Sequence, residues 1–507
     1  MAESFIFLTF TTALCALLYF ISLITYRLFF SPIARVPGSK LAAATGWYET
    51  YFDIVLGGQF TFQIEQWHKK YGPIVRVGPW EVHISDPDFY DVLYATRSKH
   101  SKFEPWRKRL GLPLSTLEAI PHSEHSRRRQ AVAPFFTRQR VLDYLPYIQK
   151  CVDKMCNRIE REYRNTTKIL CLNEVYAALT SDVINYYSFA LSSNFLDLPE
   201  FKSPFAAAAR KLAMSIHVSG HFPWFLWLMQ NLPRSWVAVL NPDRKHIFDF
   251  HGALRDQIEL IMANSKRDTP SKLSVYPTVF NDLLDSDLRP EEKTVELLFQ
   301  EAAVIIGAGI ETTKAALSLG SFHILANPSV KHRLQQELRA AIPEPLSSPP
   351  TLAQLENLTY LHCVVQEALR MSFGVSQRLV RVNPYSPIQY GSFVIPPGIA
   401  FSMSTYLQHR DPRIFPEPDE FRPERWLGDA RTAEGQPLSK YLVAFGRGPR
   451  MCLGMNLAIA ELYLAFAHMF SRLDMELFET KRDTVDMASE FFIPIPKNSA
   501  GVRVRVN

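Results

Sequence analysis

Residues 290–327, PEEKTVELLFQEAAVIIGAGIETTKAALSLGSFHILAN, read as one long helix, and that length constrains the fold more than any other stretch of the chain. Pro290 suits a first helical turn, Glu291 and Glu292 lie where the helix dipole favours acids, and Asn327 followed by Pro328 ends the run. Helices of globular proteins usually run to about 8–20 residues. This one has to cross a whole domain, with a large apolar core wrapped around it. The chain can supply that core, since 47% of its 507 residues are hydrophobic and 21% charged. Its net charge of +6 is too weak to argue for nucleic acid and suits an anionic membrane surface or an acidic partner.

Residues 5–26 form an uncharged run of 22, where about 20 are needed to cross a bilayer. A cleaved signal has a shorter apolar region, about 7–15 residues, and a small-residue cleavage site. Here Arg27, Arg35 and Lys40 follow the run, and only Glu3 and the terminal amine precede it. The positive flank on the C-terminal side predicts a single transmembrane anchor over residues 1–30, with the rest of the chain facing the cytosol. Residues 31–40, SPIARVPGSK, read as a proline-rich hinge. Residues 41–507 show no repeat and no low-complexity linker, so one large domain is expected.

Within it, IVRV and EVHI alternate about a Gly-Pro-Trp turn and predict a hairpin near 74–84. From about 140 to 265 the pattern is helical, broken at 221–233 by HFPWFLWLMQNLP, which is either core packing or a segment resting on a bilayer. A second helix is expected over about 355–371, ahead of a strand-like region with prolines at 384, 387, 396 and 397.

The six cysteines form no CxxC pair, which points to a reducing compartment. His122 and His125 are the nearest thing to a metal pair and are not read as one. Cys452 stands apart because of its setting, FGRGPRMCLG at 445–454. Gly446, Gly448 and Gly454 permit tight turns that leave backbone N–H groups free to point at a thiolate, and Arg450 brings positive charge two residues away. Zinc would need further Cys or His ligands nearby, whereas a single thiolate suits haem iron. The alternative is an inert buried thiol.

This segment resembles the haem-binding loop of the cytochrome P-450 family, with Phe445, Gly448, Arg450, Cys452 and Gly454 in place. Other motifs of that family follow in order. AGIETT at 308–313 resembles the oxygen-activating part of its central helix, EALR carries Glu367 and Arg370, and FRPERW at 421–426 has Trp426 where Phe is usual. HSEHSRRRQ resembles its WxxxR helix, with His125 replacing Trp and Arg129 as the Arg. The resemblance implies a mainly α fold with small β-sheets, haem b as cofactor and Cys452 as the axial ligand of its iron. It implies catalytic roles for Thr312 and Glu311 in oxygen activation and proton relay, and haem contacts at Ala308 and Gly309. Two glycines inside a helix cost roughly 1 kcal/mol each, which a buried helix tolerates where a large group meets its backbone. Glu367, Arg370 and Arg425 would form a structural triad under the cysteine loop.

Haem propionates call for cationic partners. Arg450, Arg129, His125 and Arg381 are the candidates, with Arg378 the rival of Arg381. Arg127, Arg128 and Arg447 are read as a basic patch for an acidic NADPH–cytochrome P-450 reductase, with cytochrome b5 as a further partner. Substrate contacts are expected at 100–122, 205–230, the central helix before Thr312, 374–380 and 491–496, all rich in apolar residues. The resemblance, closest in style to fungal secondary-metabolism members of the trichodiene-oxygenase type, implies an endoplasmic-reticulum enzyme. It would use O2 and NADPH-derived electrons to hydroxylate or epoxidise a lipophilic terpenoid or polyketide. The alternatives are the same haem fold performing isomerisation, dehydration or peroxygenation, or a haem-bearing scaffold without turnover. Asn165 and Asn357 lie in glycosylation sequons, and glycan on either would place the domain in the lumen instead.

Overall fold

The computed structural model describes residues 2–106, 109–232, 244–265, 278–342 and 350–507, and every structural statement below concerns these. Helix α1 (Ala2–Thr25) runs into a π-helical turn, Tyr26–Phe30, and none of the apolar window within Ser4–Phe30 is buried, as befits a candidate membrane span. The hinge beyond it is docked against the body. Arg76, buried in the first strand, donates through its guanidinium to the Arg27 carbonyl at 2.8 Å and through its backbone N–H to the Pro37 carbonyl at 2.7 Å. Arg27 itself donates to the Ala44 carbonyl at 2.8 Å.

The helices that frame the interior are α2 (His122–Val132), α3 (Arg138–Tyr163), α4 (Leu172–Phe189), α5 (Pro204–Met214), α6 (Ile216–His221), α7 (Pro223–Asn231) and α8 (Arg244–Ser265). They are followed by α9 (Val295–Ala326), α10 (Thr359–Ser372) and α11 (Met455–Arg472). The 32-residue α9 is the axis, packed against α4, α5, α8, α10 and α11. It is apolar enough to cross a membrane, but 67% of its apolar window is buried inside the protein, so it is a core helix. It starts later than its sequence pattern: Pro290–Glu292 form a separate 3-10 turn, and the Thr294 hydroxyl accepts the Leu297 N–H at 3.2 Å to cap the helix proper. Likewise α10 begins at Thr359, because Leu352–Glu356 make their own short helix behind a Thr351–Gln354 capping box.

The expected hairpin is present, Ile74–Arg76 antiparallel to Glu81–Ile84. Glu81–Ile84 pairs in parallel with Ala400–Ser402, which pairs antiparallel with Arg381–Val382, completing a four-stranded sheet. Three smaller sheets accompany it, among them the hairpin of Met487–Phe491 with Ile493–Pro496. The helical region does break at the start of the 221–233 stretch, where α6 ends at His221 and Phe222 is non-helical, but Pro223–Asn231 then form α7, and Pro233 lies outside the described residues. Trp224 and Trp227 on α7 are 63% and 65% exposed, close to the 66% of Trp47, so the segment is surface and not core.

Close crossings of α9 depend on small residues. A Cβ on Gly320 would lie 2.5 Å from Phe466 Cζ on α11 and 3.1 Å from Ala368 Cβ on α10. Gly320→Ala gains about 1 kcal/mol of helix propensity but overpacks the site at a cost of about 1–3 kcal/mol. A net loss of stability is expected in thermal unfolding, relieved by adding Phe466→Leu; a variant as stable as the parent would contradict this packing.

Candidate functional site

The loop before α11 is built around Cys452. Its N–H donates to the Phe445 carbonyl at 2.8 Å, closing the turn. Gly448 has φ +73°, and a Cβ there would lie 2.6 Å from the Tyr94 carbonyl oxygen, so only glycine fits. The Gly454 N–H points at the Cys452 sulfur, as the loop sequence suggested. The expected charge at Arg450 does not: its guanidinium donates to the carbonyls of Ala119 and Ile120, both at 2.9 Å, and the cation acting on the sulfur is Arg129. Burial raises the thiol above its ordinary range, and the Gly454 N–H and Arg129 only partly offset it.

Arg129, on α2, donates to the Met451 carbonyl at 2.7 Å and thereby ties α2 to the loop. Around it lies a group of cations, Arg381 buried and Lys102 and Arg450 half-buried. Arg381 donates to the Val380 carbonyl at 2.8 Å, and Lys102 to the Leu117 carbonyl. Burial, then the neighbouring arginines, depress Arg450 to about 9 and hold Lys102 well below its usual value. His125 is pushed down to about 2 by burial and by Arg450, Arg129, Lys102 and Arg381, and its Nδ1 has no hydrogen-bond partner. The acid nearest to Lys102, Glu118, is already taken by the Leu110 and Leu112 N–H groups at 2.6 and 2.8 Å. Clustered positive charge with only backbone carbonyls as partners is unfavourable, so the geometry suits an anionic group. Lys102 was missed in the sequence because nothing local marks a lysine in a loop as part of such a cluster. The rival Arg378 is spent, bonded at 2.7 Å to both Glu81 and Glu49.

On α9, the Thr312 hydroxyl donates to the Ala308 carbonyl at 2.8 Å. Ala308 is accessible although the helix around it is buried. A Cβ on Gly309 would meet Ile184 on α4 at 2.8 Å, so the lack of a side chain there serves the packing of α4 against α9. Glu311 is buried and pairs with Lys314 at 2.6 Å; both line a cavity of about 540 Å³ with Arg210, Ser318, Arg410 and Asp486.

Beneath the loop, Glu367 has no solvent exposure and accepts N–H donors from Arg370 at 2.8 and 2.9 Å, Arg425 at 3.0 Å, the Arg422 backbone at 2.9 Å and Trp426 Nε1 at 2.8 Å. Burial would raise its pKa, but Arg370 and Arg425 together with these bonds hold it below the usual carboxylate range. His409, another residue the sequence did not mark, links the network to the loop. Val443 N–H donates to its Nε2 at 2.8 Å, so its Nδ1 carries the proton and donates to the Arg370 carbonyl at 2.7 Å.

The segments expected to contact substrate converge. The backbone N–H groups of Leu114 and Thr116 donate to Gln300 and Glu301 of α9 at 2.8 and 2.7 Å, and Ser376 N–H donates to the Phe492 carbonyl at 3.0 Å. His217 of α6 lies against the Phe491 ring, 4.9 Å between centroids. Residues 107–108 of the first segment lie outside the described residues. The basic patch needs correcting: Arg128 is buried and paired with Glu124, Arg127 is bonded to Glu292 at 2.7 and 2.9 Å, and Arg447 to Asp91.

Glu367→Ala leaves two buried guanidinium groups without their anion, worth about 3–5 kcal/mol, and is expected to yield no haem-loaded protein. Trp426→Phe removes one bond to a charged acceptor, about 1.5–3 kcal/mol, and is expected to fold and load haem with a lower thermal midpoint. Because Glu367 is depressed, its contribution is present above the unfolded carboxylate range, about 4.3, and is lost as pH falls through its folded value. Acid unfolding should therefore shift to higher pH in Trp426→Phe; an unchanged acid midpoint would contradict the network.

The cytochrome P-450 family model matches residues 47–502. The chain is 43% identical over 502 residues to the cytochrome P-450 monooxygenase orf6 of Eupenicillium brefeldianum, covering 97% of this chain and 98% of that one. It is 40% identical to the monooxygenase sdnE of Sordaria araneosa, over 98% and 97%, and 38% identical to the monooxygenase oblB of Aspergillus clavatus, over 96% and 95%. With its lone cysteine loop, its buried Glu–Arg–Arg network and this match over nearly the whole chain, the protein belongs to the cytochrome P-450 family.

Proposed function

We propose that this chain, a haem-thiolate monooxygenase by family, takes electrons from NADPH through a separate reductase and hydroxylates or epoxidises a lipophilic terpenoid or polyketide. The observation that carries this reading is the pairing of one loop-held cysteine with a cluster of cations that have only backbone carbonyls as partners. Haem supplies the iron that activates O2, and its two propionates supply the negative charge that the cations lack. The residues present fit that group: His125 keeps an unpartnered buried Nδ1, and Arg450 an unpartnered buried Nε. Cys452 holds the iron, while Arg129, Arg381, Arg450, Lys102 and His125 hold the propionates.

Thr312, fixed at the Ala308 carbonyl, is aimed to pass a proton into the reaction space, and Glu311 takes protons from the polar cavity on the other side of α9. The converging apolar segments form the substrate cavity. Exposed Trp47, Trp224 and Trp227 belong to a face that lies on the membrane beside α1, and that face carries the path by which a poorly soluble substrate enters. We place the anchor in the endoplasmic reticulum with the domain in the cytosol.

Turnover under labelled O2 is expected to place one labelled atom in the product, with strict dependence on NADPH and reductase. Product formed without O2 or reductase would favour isomerisation, dehydration or peroxygenation instead. Thr312→Ala should release hydrogen peroxide in place of product, lowering product per NADPH roughly tenfold or more; full coupling in that variant would remove Thr312 from proton delivery.

A further inference from the structure

Away from the haem side, three metal-ligating side chains meet where the N-terminal segment passes under α6. Asp53 sits on the π-helical turn Tyr51–Val55, and His217 and His221 stand four residues apart on α6, on one helix face. His221 Nε2 lies 2.9 Å from Asp53 Oδ2 and His217 Nδ1 3.2 Å from the same oxygen. One donor atom from each residue lies within 4.8 Å of the others. Asp53 and His217 are almost wholly buried, at 2% and 1% side-chain exposure, and His221 is at 11%.

The far nitrogens of both rings are already engaged. His217 Nε2 lies 2.5 Å from the Glu490 carbonyl, and His221 Nδ1 lies 3.0 Å from the Thr50 hydroxyl. A carbonyl only accepts, so the proton of a neutral His217 sits on Nε2. Its Nδ1 then turns a lone pair toward a carboxylate oxygen, a contact that either a second ring proton or a metal ion satisfies; against burial, the Asp53 carboxylate holds His217 up at about 9 in the metal-free pair. Neither His217 Nδ1 nor Asp53 Oδ1 has a hydrogen-bond partner, although both are buried. Two imidazoles and a carboxylate, each imidazole steadied through its other nitrogen, are the donor set and outer sphere of a zinc site. Zinc bonds of about 2.0–2.1 Å put neighbouring tetrahedral ligands about 3.3 Å apart, so the two spacings from Asp53 to the imidazoles need to open by only a few tenths of an ångström. Buried Glu490 adds acid beside the cluster, and Arg109 opposes it.

We propose that Asp53, His217 and His221 form a binding site for a divalent transition-metal ion, zinc by its ligand set, which staples α6 to the N-terminal segment. An occupied site fixes α6, and with it Trp224 on α7, to the segment that carries Trp47, so the metal would set the rigidity of the exposed aromatic face. The haem iron is not involved, and the site is independent of the monooxygenase reading.

The test uses full-length, haem-loaded protein freed of any affinity tag, stripped with a chelator and then titrated with zinc alone. One zinc per haem is expected by elemental analysis, with a first shell of nitrogen and oxygen at about 2.0–2.1 Å in zinc-edge X-ray absorption and a raised thermal midpoint. Asp53→Asn and His221→Gln should each weaken zinc binding roughly a hundredfold, at the top of the range for losing even an outer-sphere partner. The partly exposed His221 carries the test if Asp53→Asn fails to load haem. No zinc retained at micromolar free zinc, or equal retention by His221→Gln, would overturn the proposal and leave the cluster an imidazolium–carboxylate ion pair.

Discussion

The carboxylate of Glu367 is sealed from water, and the cysteine loop depends on it. A buried anion is tolerable only with its lone pairs filled, and here donors from Arg370, Arg422, Arg425 and Trp426 fill them. Arg370 spends its remaining N–H groups on the carbonyls of His409, Pro418 and Glu420. Its own carbonyl accepts from His409, whose other nitrogen accepts the Val443 N–H two residues before Phe445. Charge neutralisation on α10 is thus converted, through one neutral histidine, into the position of the loop that presents Cys452.

A second, half-buried charge cluster is left open by the protein itself. Lys102, Arg129, Arg381 and Arg450 converge with backbone carbonyls as their partners, and Arg378, close by in sequence, is neutralised by two glutamates. The contrast separates an arginine neutralised within the protein from those left without an acid. Position on α9 divides its residues in the same way: Thr312 and Ala308 share the accessible side, Glu311 faces the polar cavity, and Gly309 lets α4 come close.

Much of this was legible in the sequence because it rests on local pattern. The length of α9, the hairpin near 74–84, the cysteine loop and the i, i+3 pair of Glu367 and Arg370 each declare themselves within a short window. Partners that meet only in three dimensions did not. His409 lies 39 residues from Arg370, the Trp426 indole donor 59 from Glu367 and Lys102 348 from Arg450, and no spacing rule marks them. The same limit explains Arg450, whose closeness to Cys452 in sequence suggested a charge on the sulfur. The loop turns it instead toward Ala119 and Ile120, and α2 brings in Arg129. The aromatic run of α7 was ambiguous because hydrophobic content alone does not distinguish a core from a membrane-facing surface.

The most direct measurement is the reduced, carbon-monoxide difference spectrum of membranes expressing the chain, beside Cys452→Ala. The red-shifted Soret band of thiolate-ligated haem is expected in the parent and should vanish in the variant. A band at the position of histidine-ligated haem, equal in both, would mean that Cys452 is not the ligand and that the loop at 445–454 serves another purpose.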